Sequence, residues 1–178
     1  MRIMLEEKIR ATVRDIPDFP KEGIVFKDIT PILAQPGLMR DIIDSFEERL
    51  AGIPVDAIAC IESRGFWFGT ILAHHFQVPI VPVRKKGKLP SETHSIEYDL
   101  EYGNATLEAH RDSIITGHNI LIHDDVLATG GTAQATAQLI QDLGGTVSGF
   151  AFLINLSFLN GHQKIVRFSD KLISLVDY

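Results

Sequence analysis

The run Ile120-Leu121-Ile122-His123-Asp124-Asp125-Val126-Leu127-Ala128-Thr129-Gly130-Gly131-Thr132 constrains the fold more than any other stretch of this chain. Ile120 to Ile122 reads as a buried strand, and two carboxylates leave its end. A Gly-containing turn then opens a helix carrying Ala133, Ala137, Ile140 and Leu143, which Gly144-Gly145 stop. In an open α/β sheet, ligands gather at the carboxyl ends of the strands, and a helix start presents unpaired N–H groups to an anion. The turn therefore suits a phosphate: Thr129 and Thr132 add hydroxyl donors, and Gly130 and Gly131 let the backbone approach closely. Asp124 and Asp125 then face a sugar, accepting hydrogen bonds from vicinal hydroxyls and stabilising positive charge on its ring. A lone Gly-Gly turn would read better as an ordinary bend with capping carboxylates, but the full arrangement favours the phosphate. It is neither Gly-x-x-x-x-Gly-Lys-Ser/Thr nor Gly-x-Gly-x-x-Gly.

The rest of the chain supplies a matching frame. Leu5, Ile9 and Val13 suggest a first helix ended by Pro17 and Pro20, and Leu38, Met39, Ile42, Ile43, Phe46 and Leu50 form a clearer helical stripe. A strand over Ala57 to Ile61, a helix through Ile71, Leu72 and Phe76, and a strand at Ile80 to Val83 follow in order. Near-continuous apolar strands alternating with helices imply a parallel sheet covered on both faces. Phe150 to Ile154 and Leu172 to Val176 add strands, giving a sheet of about five or six. Between residues 85 and 105 the pattern weakens into charged and polar residues, as in a mobile functional loop.

Size and charge narrow the function. At 178 residues and 45% hydrophobic, the chain holds one substantial core, and we expect a single domain over 1–178. A formal net charge of -6 speaks against a general nucleic-acid binder, so phosphate chemistry must rest on a local patch such as Arg84-Lys85-Lys86-Gly87-Lys88. Cys60 lies in an apolar run, reads as a small core residue, and fits a reducing cytoplasm. The N-terminus lacks a signal-peptide pattern, and no apolar stretch approaches a membrane span. His74 and His75, adjacent on a helix, point apart, and no His or Cys spacing resembles a zinc site.

The acidic pair followed by Ala-Thr-Gly-Gly-Thr resembles the signature of the type I phosphoribosyltransferases. Phe19-Pro20-Lys21-Glu22-Gly23-Ile24-Val25-Phe26-Lys27-Asp28-Ile29-Thr30-Pro31 is similar to the base-binding segment of the adenine phosphoribosyltransferases within that family. Glu62-Ser63-Arg64-Gly65-Phe66 is similar to their pyrophosphate loop, Arg84 to Pro90 to their basic strand end, and Leu100-Glu101-Tyr102-Gly103 to the tip of their flexible loop. The matches keep the family's order over nearly the whole chain.

The resemblance implies a type I phosphoribosyltransferase fold: a central, mostly parallel sheet flanked by helices, a small N-terminal hood over 1–35 and a flexible catalytic loop over 85–105. It implies a pentosyltransferase of purine salvage that converts adenine and phosphoribosyl pyrophosphate to AMP and diphosphate in the cytoplasm. Residues 62 to 65 would hold the pyrophosphate, with a cis peptide near Glu62-Ser63. Arg64 can fork two N–H groups onto a phosphate. Arg84, Lys85 and Lys88 would bind phosphate, in a segment that helps complete the neighbouring subunit's site and so implies a homodimer. Ala128, Thr129, Gly130, Gly131 and Thr132 would cradle the 5′-phosphate, and Asp124 and Asp125 the ribose. Glu101 would close over the base and manage the proton at purine N7 while N9 attacks, a task that needs a carboxyl desolvated toward neutrality. Phe26 and Leu156 would stack on the two faces of adenine, with backbone groups of Val25 and Lys27 reading its edge. Mg²⁺ would be held mainly by substrate oxygens, with Asp124 and Asp125 reaching it through water rather than as direct ligands. The sequence departs from the family at His123, usually apolar, at Ser91, usually Gly, and at Asn155, usually Glu.

Two other readings predict different sequences. A DNA-binding regulator that senses phosphoribosyl pyrophosphate needs an added basic helix-turn-helix, for which we expect no room before residue 20. An enzyme for hypoxanthine, guanine or xanthine calls for a lysine near the exocyclic oxygen, and Ile154-Asn155-Leu156-Ser157 offers none.

Overall fold

The alternation of apolar strands and amphipathic helices produces a sheet of seven strands in the computed structural model, which describes residues 2–100 and 103–178. The chain divides into two compact units, Met1–Arg49 and Leu50–Tyr178.

In the first unit, α1 (Arg2–Thr12) buries Ile9 and carries an exposed Arg10–Glu6 pair one turn apart. It ends five residues earlier than the prolines suggest, because Arg14 begins β1 (Arg14–Pro17), paired antiparallel with β2 (Val25–Asp28). This small sheet is absent from the sequence reading; its strands are four residues each and mostly solvated, so they show no apolar run. α2 (Thr30–Leu33) follows, then α3 (Pro36–Leu50), whose last residue begins the second unit and which buries Leu38, Ile42, Ile43 and Phe46 at helical spacing.

The second unit contains β3 (Ala57–Ile61), α4 (Gly65–Phe76), β4 (Ile80–Lys85), β5 (Thr93–Leu100) and β6 (Gly103–His110). It continues through β7 (Asn119–Leu127), α5 (Gly131–Asp142), β8 (Thr146–Asn155), α6 (His162–Ile165) and β9 (Leu172–Asp177). The sheet order is β5-β6-β4-β3-β7-β8-β9, parallel from β4 to β9 and antiparallel at β6 and β5. The strands β5 and β6 take the sheet beyond the expected five or six. Much of the stretch over 85–105 read as a mobile loop therefore has strand structure. Its polar residues belong to a hairpin whose alternate side chains stay solvated, so no continuous apolar run marks it.

Strand alternation divides the core. Ala57, Ala59, Ile61, Val81, Val83, Ile120, Ile122, Phe150 and Phe152 pack with Ala133, Ala137 and Ile140 of α5. Cys60 and His123 face the other way, under Gly69 of α4. A Cβ at Gly69 would collide with the Cys60 sulfur, so the helix lies this close only because residue 69 has no side chain.

Candidate active site

The sheet order reverses between β3 and β7, the place where a crevice opens beyond the strand ends. The β3–β7 register ends at Cys60 opposite His123, whereas β7 and β8 stay paired to Leu127 opposite Asn155. Asp124 and Asp125 thus lie within β7 rather than after it, held by β8 on one side and past the end of β3 on the other. The sequence places them at the strand end because carboxylates break the apolar run; the longer β8 keeps that stretch extended.

Glu62-Ser63 follows β3 and is a cis peptide, the geometry implied by the resemblance. Arg64 caps α4, and its Nε stands 3.0 Å from Asp125 Oδ2, a carboxylate only 2% exposed. Asp124 is more accessible, and its Oδ1 accepts the Asp125 N–H at 2.8 Å. Burial raises both carboxyls above the ordinary range; the neighbouring Asp125 charge raises Asp124 further, and Arg64 pulls each back. Gly65 keeps this corner tight, since a Cβ there would sit 2.9 Å from the His123 carbonyl and 3.0 Å from Asp124 Oδ1.

After β7 the chain turns through Ala128 and Thr129 to Gly130, whose φ of 77° is left-handed, and α5 starts at Gly131. No side chain caps this helix start, which borders a small hollow lined by Asp124, Ala128, Thr129, Gly130, Gly131 and Thr132 among others. All the residues read as a phosphate cradle are brought together here. The structure adds Gly161, which the sequence reading missed: a Cβ on it would strike the Ala128 carbonyl, and one on Gly130 would strike the Gly161 carbonyl. The dipeptide Asn160-Gly161 signals only a turn; its packing on the cradle is tertiary. Tyr98 was missed as well. Its Oη lies 3.3 Å from Thr132 Oγ1, joining β5 to the cradle.

Arg84 is committed to two contacts: its Nε donates to Glu62 Oε2 at 2.8 Å and its Nη1 to the Lys88 carbonyl at 3.0 Å. Nη2 belongs to neither bond. Lys85 and Lys88 are exposed. Another unforeseen residue, Glu108, is 4% exposed and accepts the N–H groups of Gly87, Lys88 and Leu89.

Below the acidic pair, His123 is fully buried and its pKa is pushed down to about 4 by desolvation, which the Ala151 backbone partly opposes. Burial pushes the Cys60 thiol up to about 12, with a smaller contribution from Asp124, leaving an unreactive core sulfur.

In the first unit, Val25, Phe26 and Lys27 all lie on β2; Phe26 meets Phe19 edge-on with ring centroids 5.1 Å apart. Lys27 Nζ is tied to Asp15 at 2.7 Å, so a role for residue 27 through its backbone is consistent with its side chain being engaged elsewhere. In the second unit, Leu156 follows β8 and its N–H bonds the Leu127 carbonyl at 2.9 Å. Beside it, Asn155 Nδ2 donates to Asp177 Oδ1 at 2.8 Å. Glu101 lies outside the described residues. Among the described residues, no three His, Cys, Asp or Glu side chains cluster as a metal site, and no helix is long and apolar enough to cross a membrane.

Residues 28–171 match the phosphoribosyl transferase domain family. The adenine phosphoribosyltransferase of Cytophaga hutchinsonii is 49% identical over 98% of this chain and 97% of its own length. That of Pseudothermotoga lettingae is 52% identical over 94% and 97%. The crystal structure of adenine phosphoribosyltransferase from Thermoanaerobacter pseudethanolicus superposes with a TM-score of 0.93 at 48% identity, covering 97% of this chain and 99% of the other. The Saccharomyces cerevisiae enzyme, crystallised with an imino-altritol bisphosphate and adenine, gives 0.90 at 37% identity over 97% and 99%.

Proposed function

The chain belongs to the phosphoribosyl transferase domain family, and from that premise we infer that it is a pentosyltransferase of purine salvage, joining adenine to phosphoribosyl pyrophosphate to give AMP and diphosphate. The observation that carries the phosphoribosyl part is the uncapped start of α5 beneath Asp124, at the point where the sheet order reverses. The relatives named above, all adenine enzymes at 37% to 52% identity, carry the choice of base.

In this reading the 5′-phosphate occupies the cradle of residues 128–132. Asp124 faces the ribose, where a carboxylate favours the positive charge that develops as the bond from C1′ to the pyrophosphate oxygen breaks. Asp125 supports it from below through Arg64, which is assigned to the pyrophosphate, while Arg84, Lys85 and Lys88 reach the pyrophosphate in the neighbouring subunit's site. N9 of the base then bonds C1′, and Glu101 takes the N7 proton. Val25, Phe26, Lys27 and Leu156 are the proposed base contacts. Mg²⁺ fits a site with one accessible carboxylate: the ion would ride on substrate oxygens, neutralise the leaving pyrophosphate, and reach Asp124 through water. We place the enzyme in the cytoplasm as a homodimer, the assembly in which the basic segment serves the neighbouring subunit.

The test is stoichiometric. Incubated with adenine, phosphoribosyl pyrophosphate and Mg²⁺, the protein should release AMP and diphosphate in equal amounts; diphosphate released without AMP would contradict transfer to the base.

A further inference from the structure

We propose that Glu108 is a positioning residue for the basic segment, shaping residues 86–89 so that Arg84 can serve the pyrophosphate; the proposal rests on the reading of that segment given above. Glu108 sits on β6, directly opposite Arg84 of β4 in the antiparallel register. Its Oε1 accepts the N–H groups of Gly87, Lys88 and Leu89 at 3.0, 3.1 and 3.1 Å, and its Oε2 lies 3.4 Å from Thr93 Oγ1. Successive backbone N–H groups converging on one oxygen form the kind of concavity that elsewhere binds an external anion. Here the anion is the protein's own, and a carboxylate so buried is tolerable only because those donors satisfy it.

Two consequences follow. The loop backbone is already occupied, so an incoming phosphate is left to the side chains of Arg84, Lys85 and Lys88. The peptide is also fixed where the Lys88 carbonyl takes Arg84 Nη1, while Glu62 takes Arg84 Nε. A continuous set of bonds thus runs from Glu108 through residues 87–89 and Arg84 to Glu62, tying the basic segment that serves the neighbouring site to the segment that serves this subunit's own. Gly87 contributes a left-handed φ of 82°, and the loop is held there by Glu108 together with the Lys86 N–H, which donates to the Thr106 carbonyl at 3.1 Å.

The readout is calorimetric Kd for phosphoribosyl pyrophosphate and for AMP, measured on the full chain. Glu108→Ala should weaken phosphoribosyl pyrophosphate by about tenfold or more, the scale of one charge-assisted hydrogen bond, and leave AMP unchanged. Glu108→Gln keeps a neutral acceptor and should fall between; if the alanine variant does not fold, the glutamine variant decides alone. Equal losses for both ligands, or none, in a folded Glu108 variant overturn the proposal when Arg84→Ala still separates the ligands. If Arg84→Ala itself fails to separate them, the pyrophosphate reading of the segment falls and takes this inference with it.

Discussion

Arg64 Nε and Asp125 Oδ2 are 3.0 Å apart, joining the turn after β3 to the C-terminal part of β7. The pair separates two carboxylates that are adjacent in sequence. Asp125 is almost fully buried and spends its charge on Arg64, whereas Asp124 is the one that opens to the hollow. Asp124→Asn should therefore keep the fold and lower turnover by about a hundredfold or more, as for loss of one preorganised electrostatic partner of a transition state. Asp125→Asn should lose thermal stability as well, because it leaves the Arg64 guanidinium without its buried counter-charge. Turnover with melting temperature, measured for both variants, checks the division; wild-type turnover in Asp124→Asn would refute the ribose role.

Thr129 and Arg84 serve different parts of one ligand. Thr129→Val should weaken phosphoribosyl pyrophosphate and AMP alike, by about tenfold, since both carry the 5′-phosphate and lose one hydroxyl donor. Arg84→Ala should weaken the pyrophosphate-bearing ligand more. Calorimetry giving equal losses for both ligands in the Arg84 variant would contradict the assignment.

Much of this site is legible in the sequence because its chemistry is local. A strand, two carboxylates, a Gly-Gly turn and the start of a helix lie in thirteen consecutive residues, Ile120 to Thr132, and the structure assembles them as neighbours. Glu108, Gly161 and Tyr98 were not legible, because each acts on a segment far away in the chain and looks ordinary at its own position. Glu108 carries no local signal, and only the register sets it opposite Arg84. The antiparallel hairpin of β5 and β6 escaped for a related reason: half-solvated strands at a sheet edge lack the apolar run that marks β3 or β8.

His123 makes stability depend on pH. Its folded pKa of about 4 lies below the usual 6.5, so the unfolded chain binds the extra proton between those values. The stability it allows is complete above pH 6.5 and falls as pH drops toward 4, by up to about 3 kcal/mol in all. The raised carboxyls of Asp124 and Asp125 act in the opposite sense, so the comparison must hold them fixed. Against wild type, His123→Leu should flatten the decline of denaturant-derived unfolding free energy between pH 6.5 and 4.5. Parallel curves for the two proteins would show that His123 is not the titrating group.

Glu101→Gln keeps the side chain's length and polar shape but removes the titrating group. If Glu101 handles the N7 proton, single-turnover AMP formation should slow by about a hundred- to ten-thousand-fold with ligand affinity nearly unchanged. Single-turnover conditions matter because product release can limit the steady state and conceal a chemical defect. A rate near wild type would remove Glu101 from the mechanism.

The most direct measurement offers adenine, hypoxanthine, guanine and xanthine in parallel with phosphoribosyl pyrophosphate and Mg²⁺, and follows nucleotide formation for each base. Transfer to adenine should exceed transfer to any 6-oxopurine by at least about a hundredfold in kcat/KM, the discrimination expected of a site built around one exocyclic hydrogen-bonding pattern. Comparable rates with hypoxanthine or guanine, or no nucleotide from any of the four, would contradict the account.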